Sequence, residues 1–250
     1  METVHVDEED VVEASTWESR HPALLGRLAG VAGAAWVVLA LVPGSLGGPS
    51  YGTSMSTPQI AAWASQHTRS FPVTGFIGGL SASVFALFLL LLVSAARGRG
   101  LLKSVVVSSA AAVMAIDWVG TGVYYALADA AGRQQATGGV VALFSLNAAM
   151  TYTDGFVAGM AILALSLLQL TPRALPRPLI WLGALTGTYL IVSDPIQLAV
   201  SHSPAGATGP IGVVLSLVWV LTVTAVMLIK PVRDTTPRQA VTATEASLVS

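Results

Sequence analysis

Six long apolar stretches constrain this chain more than any other feature of its sequence. A helix needs roughly 20 mostly apolar residues to cross a hydrocarbon core of about 30 Å. Six stretches have about that length, and they cover residues 24–42, 71–93, 104–128, 140–170, 179–200 and 211–229. Because a bilayer offers no water to backbone groups, each stretch is predicted to be an α-helix.

The overall composition favours the same class of protein. Charged residues make up 10% of the 250 residues and hydrophobic residues 54%, whereas an ordinary soluble domain carries about 25% charged residues. So few charges do not cover a soluble surface, and no basic patch is present for nucleic acid. The chain has no cysteine, which excludes disulfides and thiolate chemistry. We therefore predict an all-α, polytopic membrane protein, a bundle of six transmembrane helices.

Polar ends frame this bundle. Residues 1–22 contain seven acidic residues and lack the positively charged start of a secretory signal. Residues from 231 to 250 are polar and rich in threonine. We predict that both segments are disordered cytoplasmic tails around a single membrane domain, residues 23–230. The acidic tail is also a candidate docking site for a basic cytoplasmic protein, which would suit a non-catalytic membrane regulator.

The basic residues predict an orientation. With both termini in the cytoplasm, ten of the 12 Lys and Arg residues fall on the inner side, and Arg69 and Arg133 fall on the outer side. Cytoplasmic loops carry such an excess of positive charge. Together with an Ala-, Val- and Gly-rich composition, this predicts a multi-pass protein of a bacterial cytoplasmic (plasma) membrane, in contact with membrane lipid.

The longest connection, residues 43–70, is then expected outside. Within it, residues 57–64 are predicted to form a short interfacial helix, with Thr57 as its cap and Pro58 in its first turn. Ile60 and Trp63 give this helix an apolar face. We expect it to cover the outer mouth of the bundle.

Small residues spaced four apart predict close helix packing. Such residues let helix backbones approach each other in lipid, where the hydrophobic effect does not hold helices together. The pairs are Gly26/Gly30, Gly75/Gly79, Gly155/Gly159 and Gly183/Gly187. At least two of the four are expected to lie at helix contacts.

Three acids lie within the apolar segments. Asp117, Asp154 and Asp194 occur in the third, fourth and fifth segments. At a rise of 1.5 Å per residue they lie about 20, 24 and 22 Å from the inner boundary, so they are predicted to share one layer. No Lys, Arg or His is near this layer, so we expect at least one acid to hold or share a proton. Intramembrane acids usually face a bundle interior or a cavity.

Polar and aromatic neighbours of these acids recur at helical spacing. They predict a pocket among the third, fourth and fifth segments, beneath residues 60–63. The candidate pocket residues beside the three acids are Trp118, Thr121, Tyr124, Tyr125, Asn147, Thr151, Tyr152, Tyr189 and Gln197.

Several functions remain open for such a pocket. It would bind or transport a small apolar or amphipathic molecule, with the acids coupling to protons or orienting a polar group. Alternatively, a protonated Asp would act as general acid on an isoprenoid-like or lipid substrate, as in membrane-embedded terpene cyclases, with aromatic faces stabilising a cation. A third alternative is that the acids have a structural role and form hydrogen bonds between helices. A fourth is that their oxygens bind a cation.

No cofactor motif occurs. There is no Gly-rich phosphate loop, no intramembrane His for haem and no zinc-protease motif. His67, His202 and Asp129 fall on the predicted outer side without any metal-ligand spacing, so no metal or cofactor is expected.

Short motifs carry one resemblance. They are Arg27-Leu28-Ala29-Gly30, residues 60–69, Leu175-Pro176-Arg177-Pro178-Leu179, Leu182-Gly183 and Gly187-Thr188-Tyr189-Leu190. With these motifs the chain resembles an uncharacterised bacterial family of six-helix integral membrane proteins, over about residues 20–230. The resemblance implies the fold and supplies no activity.

Overall fold

The computed structural model describes residues 21–45, 55–96, 99–133, 137–170, 175–199 and 209–229. Within these ranges it forms seven helices and no strand. The helices are α1 (Pro22–Ser45), α2 (Thr57–Gln66), α3 (Ser70–Ala95), α4 (Leu101–Gly132), α5 (Thr137–Leu168), α6 (Arg177–Ala199) and α7 (Gly209–Ile229). The two predicted tails lie almost entirely outside the described residues.

Six of these helices are long and apolar enough to cross a membrane. They coincide with the six predicted segments, which confirms the helical bundle. The main difference is at α4, which extends over 32 residues, whereas the prediction ended this segment at residue 128. Its last turn lies in a cluster with Ala64 of α2, a contact that does not depend on the bilayer thickness that the prediction used.

The six long helices form a closed ring. Each of α1, α3, α4, α5, α6 and α7 packs against the next in this order, and α7 returns to pack against α1. Because the ring closes, all six helices contribute residues to one interior. The short helix α2 packs against α4 and α5, and we call the end of the ring where it lies the α2 end.

The end of the ring opposite α2 is filled with apolar side chains. Leu92 near the end of α3, Leu165 near the end of α5 and Met227 near the end of α7 are all fully buried. Trp219 of α7 is also fully buried, and its Nε1 donates a hydrogen bond to the Leu179 carbonyl oxygen at 3.2 Å. This packing closes the interior at that end. Outward-facing side chains such as Val38 and Leu185 remain exposed, as expected of a surface that contacts lipid.

Glycines bring α5 and α6 into backbone contact. A Cβ atom at Gly159 would lie 2.9 Å from the Gly187 carbonyl oxygen, and one at Gly187 would lie 2.7 Å from the Gly159 carbonyl oxygen. Between α3 and α4, a Cβ at Gly75 would lie 2.9 Å from Tyr124 Cβ, and one at Gly79 would meet Thr121. The packing role predicted for at least two of the glycine pairs is therefore confirmed.

The short helix α2 begins as a capped helix. Its N-cap is Ser56, whose backbone N–H lies 2.7 Å from Gln59 Oε1; the sequence had favoured Thr57. Ile60 and Ala64 are buried, and Ala64 packs in a cluster with Phe71 and Leu127. The helix covers the ends of α4 and α5, not the whole mouth of the bundle.

Candidate binding cavity

A cavity of about 510 Å³ lies inside the ring. All six long helices line it, whereas the sequence had predicted a pocket among the third, fourth and fifth segments alone. The lining includes Trp36 of α1, Phe85 of α3, Leu190 of α6 and Gly212 in the first turn of α7. The cavity therefore extends toward the α2 end of the bundle. The difference arises because α7 closes the ring against α1, a contact that no local pattern shows.

The three intramembrane aspartates all line this cavity. Asp117 comes from α4, Asp154 from α5 and Asp194 from α6. Asp194 is 7% exposed, and Ser193 Oγ donates a hydrogen bond to its Oδ1 at 3.1 Å. Asp154 Oδ1 is buried and has no hydrogen-bond partner. The polar layer predicted from helical depth thus corresponds to one shared space.

A glycine positions Asp194 beside the backbone of α5. A Cβ atom at Gly155 would clash with Asp194 Oδ2, so glycine lets this carboxylate lie against the α5 backbone in its present orientation. Since Gly155 follows Asp154 directly, the two acids occupy adjoining parts of the wall. Both Asp117 and Asp194 lie within electrostatic range of Asp154.

The acids surround the cavity without converging on one point. Among the residues that the structure describes, no three His, Cys, Asp or Glu side chains come together as a metal site would require. The lining contains no Lys, Arg or His. Within the described residues, the wall therefore has three acidic groups and no basic side chain to balance them.

The other residues that were considered for a metal have different partners. His67 Nδ1 lies 2.8 Å from the Trp63 carbonyl oxygen. Asp129 is exposed and forms an ion pair with Arg133 at 2.7 Å. His202 lies outside the described residues.

An aromatic wall lies across α1 and α3. The ring centroids of Trp36 and Phe85, which both line the cavity, are 5.0 Å apart. Phe85 also contacts Phe88 at 6.3 Å, and Phe88 meets Trp219 edge-on at 6.0 Å. These contacts fix Trp36 and Phe85 as a rigid apolar surface in the same cavity as the acids.

A smaller pocket of about 120 Å³ lies between α3, α4 and α5. It shares Gly78, Asp117 and Thr151 with the central cavity. Thr121 of α4 lines this pocket, and its Oγ1 donates a hydrogen bond to the Gly75 carbonyl oxygen of α3 at 2.8 Å. Asp117 is therefore accessible from both the central cavity and the side pocket.

The structure brings most of the predicted pocket residues to these two spaces. Thr151 and Tyr152 line the central cavity, and Thr121, Tyr124 and Asn147 line the side pocket. Tyr189 contacts α7 close to Gly212 and is not in the cavity lining. The side chain of Gln197 lies outside the described residues.

Besides Tyr189, two more predicted pocket residues lie elsewhere. Trp118 is 43% exposed, and its Nε1 donates a hydrogen bond to Ser83 Oγ at 3.0 Å on the outer side of the α3–α4 contact. Tyr125 is 50% exposed. Neither residue lines the cavity or the side pocket. Successive residues turn by about 100° around a helix, so Trp118 and Tyr125 both lie well away from the direction of Asp117.

Sequence reasoning missed the contributions of α1, α3 and α7. Trp36, Ser81, Phe85 and Ser216 line the cavity, although their segments carry no acid. The two serines are polar residues in strongly apolar helices, and this contrast could have indicated that they face the interior. The aromatic residues gave no signal, because a Trp or Phe is equally suited to packing in lipid.

Comparison of the chain with family models, with curated proteins and with solved structures found no match. The resemblance to an uncharacterised six-helix family remains a prediction.

Proposed function

We propose that this protein binds a small apolar or amphipathic molecule in its central cavity, and either holds that molecule or carries it across the membrane. The observation that carries the proposal is a cavity of about 510 Å³ lined by all six long helices and by three acids. Ligand sites have volumes of about 300–1,000 Å³, with mostly apolar walls and a few polar groups. This cavity has the same character.

The state of the acids favours a binding role over a purely structural one. An acid that serves as glue between helices is expected to be hydrogen-bonded to another helix. Asp154 Oδ1 has no such partner, and the hydrogen bond to Asp194 comes from its own neighbour Ser193. A buried acid without a partner is costly in a membrane, which supports a functional reason for its presence.

Proton exchange is part of the proposal. Asp117 lines both the central cavity and the side pocket. A carboxyl group in that position can take a proton from one space and release it to the other. The proposal is that the acids gain and lose protons as the ligand enters and leaves.

The proposed location is a bacterial cytoplasmic membrane, with both termini in the cytoplasm and the α2 end outside. The distribution of Lys and Arg supports this orientation. The cavity would then be loaded from, or emptied toward, the outer side.

Filling the cavity tests the binding proposal. Gly78 lines the cavity, and a Cβ atom there would meet nothing within 4 Å. We expect Gly78→Leu to fold and to reduce binding by roughly tenfold or more, because its side chain occupies ligand space. The probe is the neutral photolabel 4-[3-(trifluoromethyl)diazirin-3-yl]benzyl alcohol, applied to the full chain in nanodiscs. Labelled peptides are located by mass spectrometry, with excess benzyl alcohol as competitor.

Gly122→Leu is the matched control. A Cβ atom at Gly122 also meets nothing within 4 Å, but this residue is exposed and lines neither space. It should retain saturable labelling of the cavity peptides. Equal labelling of both variants, or labelling that is confined to lipid-facing peptides and not saturable, would contradict the proposal.

A second candidate function is intramembrane acid catalysis. The observation that favours it is that Asp154, Tyr152 and Trp36 line the same cavity, so an acid and aromatic faces meet one substrate. A protonated Asp would then protonate an isoprenoid-like or lipid alkene or epoxide, and the aromatic faces would stabilise the resulting cation. Incubation with an epoxidised prenyl alcohol tests this function. A cyclised isomer of unchanged mass is expected from the unmodified chain and not from Asp154→Asn.

A further inference from the structure

The charges in the cavity wall are unbalanced. Asp117, Asp154 and Asp194 face the cavity from α4, α5 and α6, and no basic side chain is in the lining. Ionised carboxylates in a medium of low dielectric require a positive counterpart. Because none of the described lining residues supplies one, we take the counterpart to be either a proton or a bound cation.

The shape of the site favours a cation with an organic body. The acids surround the space and do not form a metal-binding cluster in the described part of the chain. A cavity of about 510 Å³ is also far larger than one inorganic ion. A molecule that fills it must contact the apolar wall over most of its surface.

The unpartnered oxygen of Asp154 indicates where a donor would bind. Asp154 lines the cavity, and its Oδ1 is buried and has no hydrogen-bond partner. An ammonium N–H directed at this atom would satisfy it, and a hydrogen bond between charged groups is about twice as strong as a neutral one.

The aromatic residues suit the same ligand. Trp36, Phe85 and Tyr152 line the cavity together with the acids. The face of an aromatic ring attracts a cation and also packs against an apolar body. Acids and aromatic faces in one cavity are the groups that recognise alkylammonium ions.

We infer that the ligand of the central cavity is an amphipathic organic cation, a protonated amine with an apolar or aromatic body. This inference rests on the proposed binding function and names its substrate class. The ammonium group is held by Asp154, while Asp117 and Asp194 contribute negative charge from other parts of the same wall, and the body lies against the wall of Trp36 and Phe85.

Cation binding is then linked to proton release. The titratable groups that face the cavity are Asp117 from α4, Asp154 and Tyr152 from α5, and Asp194 from α6. The lining residues of α1, α3 and α7 include no titratable acid or base. Protons compete with the ligand for the carboxylates, so apparent affinity for the cation should fall as pH is lowered from about 8 to about 5.

Two photolabels of the same shape test the charge of the ligand. The probe 4-[3-(trifluoromethyl)diazirin-3-yl]benzylamine is a cation at neutral pH, and the corresponding benzyl alcohol is neutral. We expect the amine to label cavity peptides of the full chain with an affinity roughly 10- to 100-fold higher than that of the alcohol. The preference should shrink at low pH.

A pair of Asp→Asn variants identifies the group responsible. Asp154→Asn keeps the size of the side chain and removes its charge, so it should reduce the preference for the amine by roughly tenfold or more while labelling by the alcohol continues. Asp129→Asn is the control, because Asp129 is exposed at the end of α4 and paired with Arg133. The preference of Asp129→Asn for the amine over the alcohol should match that of the unmodified chain. Gel filtration and thermal unfolding report whether each variant folds. If Asp154→Asn does not fold, Asp117→Asn replaces it as the test variant.

The outcomes separate this inference from the function on which it rests. Saturable labelling by both probes with equal affinity overturns the cation assignment and leaves the binding function standing. If the preference for the amine survives in the folded variants of the cavity acids, Asp154→Asn or Asp117→Asn, the cation assignment is also overturned. If neither probe labels cavity peptides in a saturable manner, the binding function itself fails.

Discussion

At the scale of single residues, the site depends on a few side chains whose neighbours come from other helices. The Asp194 carboxylate lies against α5 in its present orientation because residue 155 is glycine, and Thr121 reaches the backbone of α3. The sequence identified the three aspartates because an acid is conspicuous in an apolar segment. It assigned Trp118 and Tyr125 to the pocket incorrectly, since residue type does not show which way a side chain points.

The Thr121 hydroxyl is expected to contribute measurably to stability. Its Oγ1 contacts the Gly75 carbonyl oxygen across the α3–α4 interface. Thr121→Val keeps the shape and removes the hydrogen bond, so the free energy of unfolding should fall by about 0.6 kcal/mol and by no more than about 1.7 kcal/mol. Reversible unfolding in mixed micelles with increasing SDS measures this change.

Thr222→Val is the reference for that measurement. The Thr222 hydroxyl bonds only within its own helix, to the Val218 and Trp219 carbonyl oxygens. A loss as large in Thr222→Val as in Thr121→Val would show that the interhelical bond adds nothing.

At the scale of elements, helix contacts are set by where small residues permit close approach. The glycine spacing correctly predicted tight packing, and α5 and α6 meet at Gly159 and Gly187. The spacing did not say which helices pair. Similarly, residues 57–64 predicted a short helix, but its position on α4 and α5 follows from the fit of Ala64 against Phe71 and Leu127.

A large side chain at Gly187 should separate α5 from α6. The Gly159 carbonyl oxygen would lie 2.7 Å from a Cβ at this position, and backbone cannot move aside as a side chain can. We expect Gly187→Leu to lower the free energy of unfolding by about 1–3 kcal/mol or more. Denaturation with SDS, monitored by tryptophan fluorescence, measures the loss.

Gly122→Leu again provides the comparison, because both substitutions gain the same helix propensity. Only Gly187 faces another backbone, whereas Gly122 faces open space. If Gly187→Leu were as stable as Gly122→Leu, the α5–α6 contact would be looser than the structure shows.

At the scale of the whole molecule, closure of the ring creates the site. Contact between α1 and α7 joins the first and last long helices, and the enclosed space is tightly packed at one end and hollow toward the other. If all six long helices cross the membrane, an even number of spans predicts that both chain ends lie on the same side. The excess of basic residues predicts that this side is the cytoplasm.

Single cysteines test this orientation cleanly, because the chain has none of its own. Ser56 lies at the α2 end, just before α2, and Ser250 is the last residue of the sequence. A maleimide that does not cross membranes should label Ser56→Cys in intact cells and Ser250→Cys only after the cells are opened. Labelling of Ser250→Cys in intact cells would reverse the assignment.

The sequence by itself determined the six long apolar helices and predicted a common depth for the acids within them. Both follow from properties counted along one segment, namely apolar length against bilayer thickness and rise per residue. Only the tertiary structure decided that the ring closes, that Trp36 and Ser216 share a cavity with Asp154, and that Trp118 does not. A cavity is the space left between faces of distant segments, and which faces meet depends on how all the side chains pack at once.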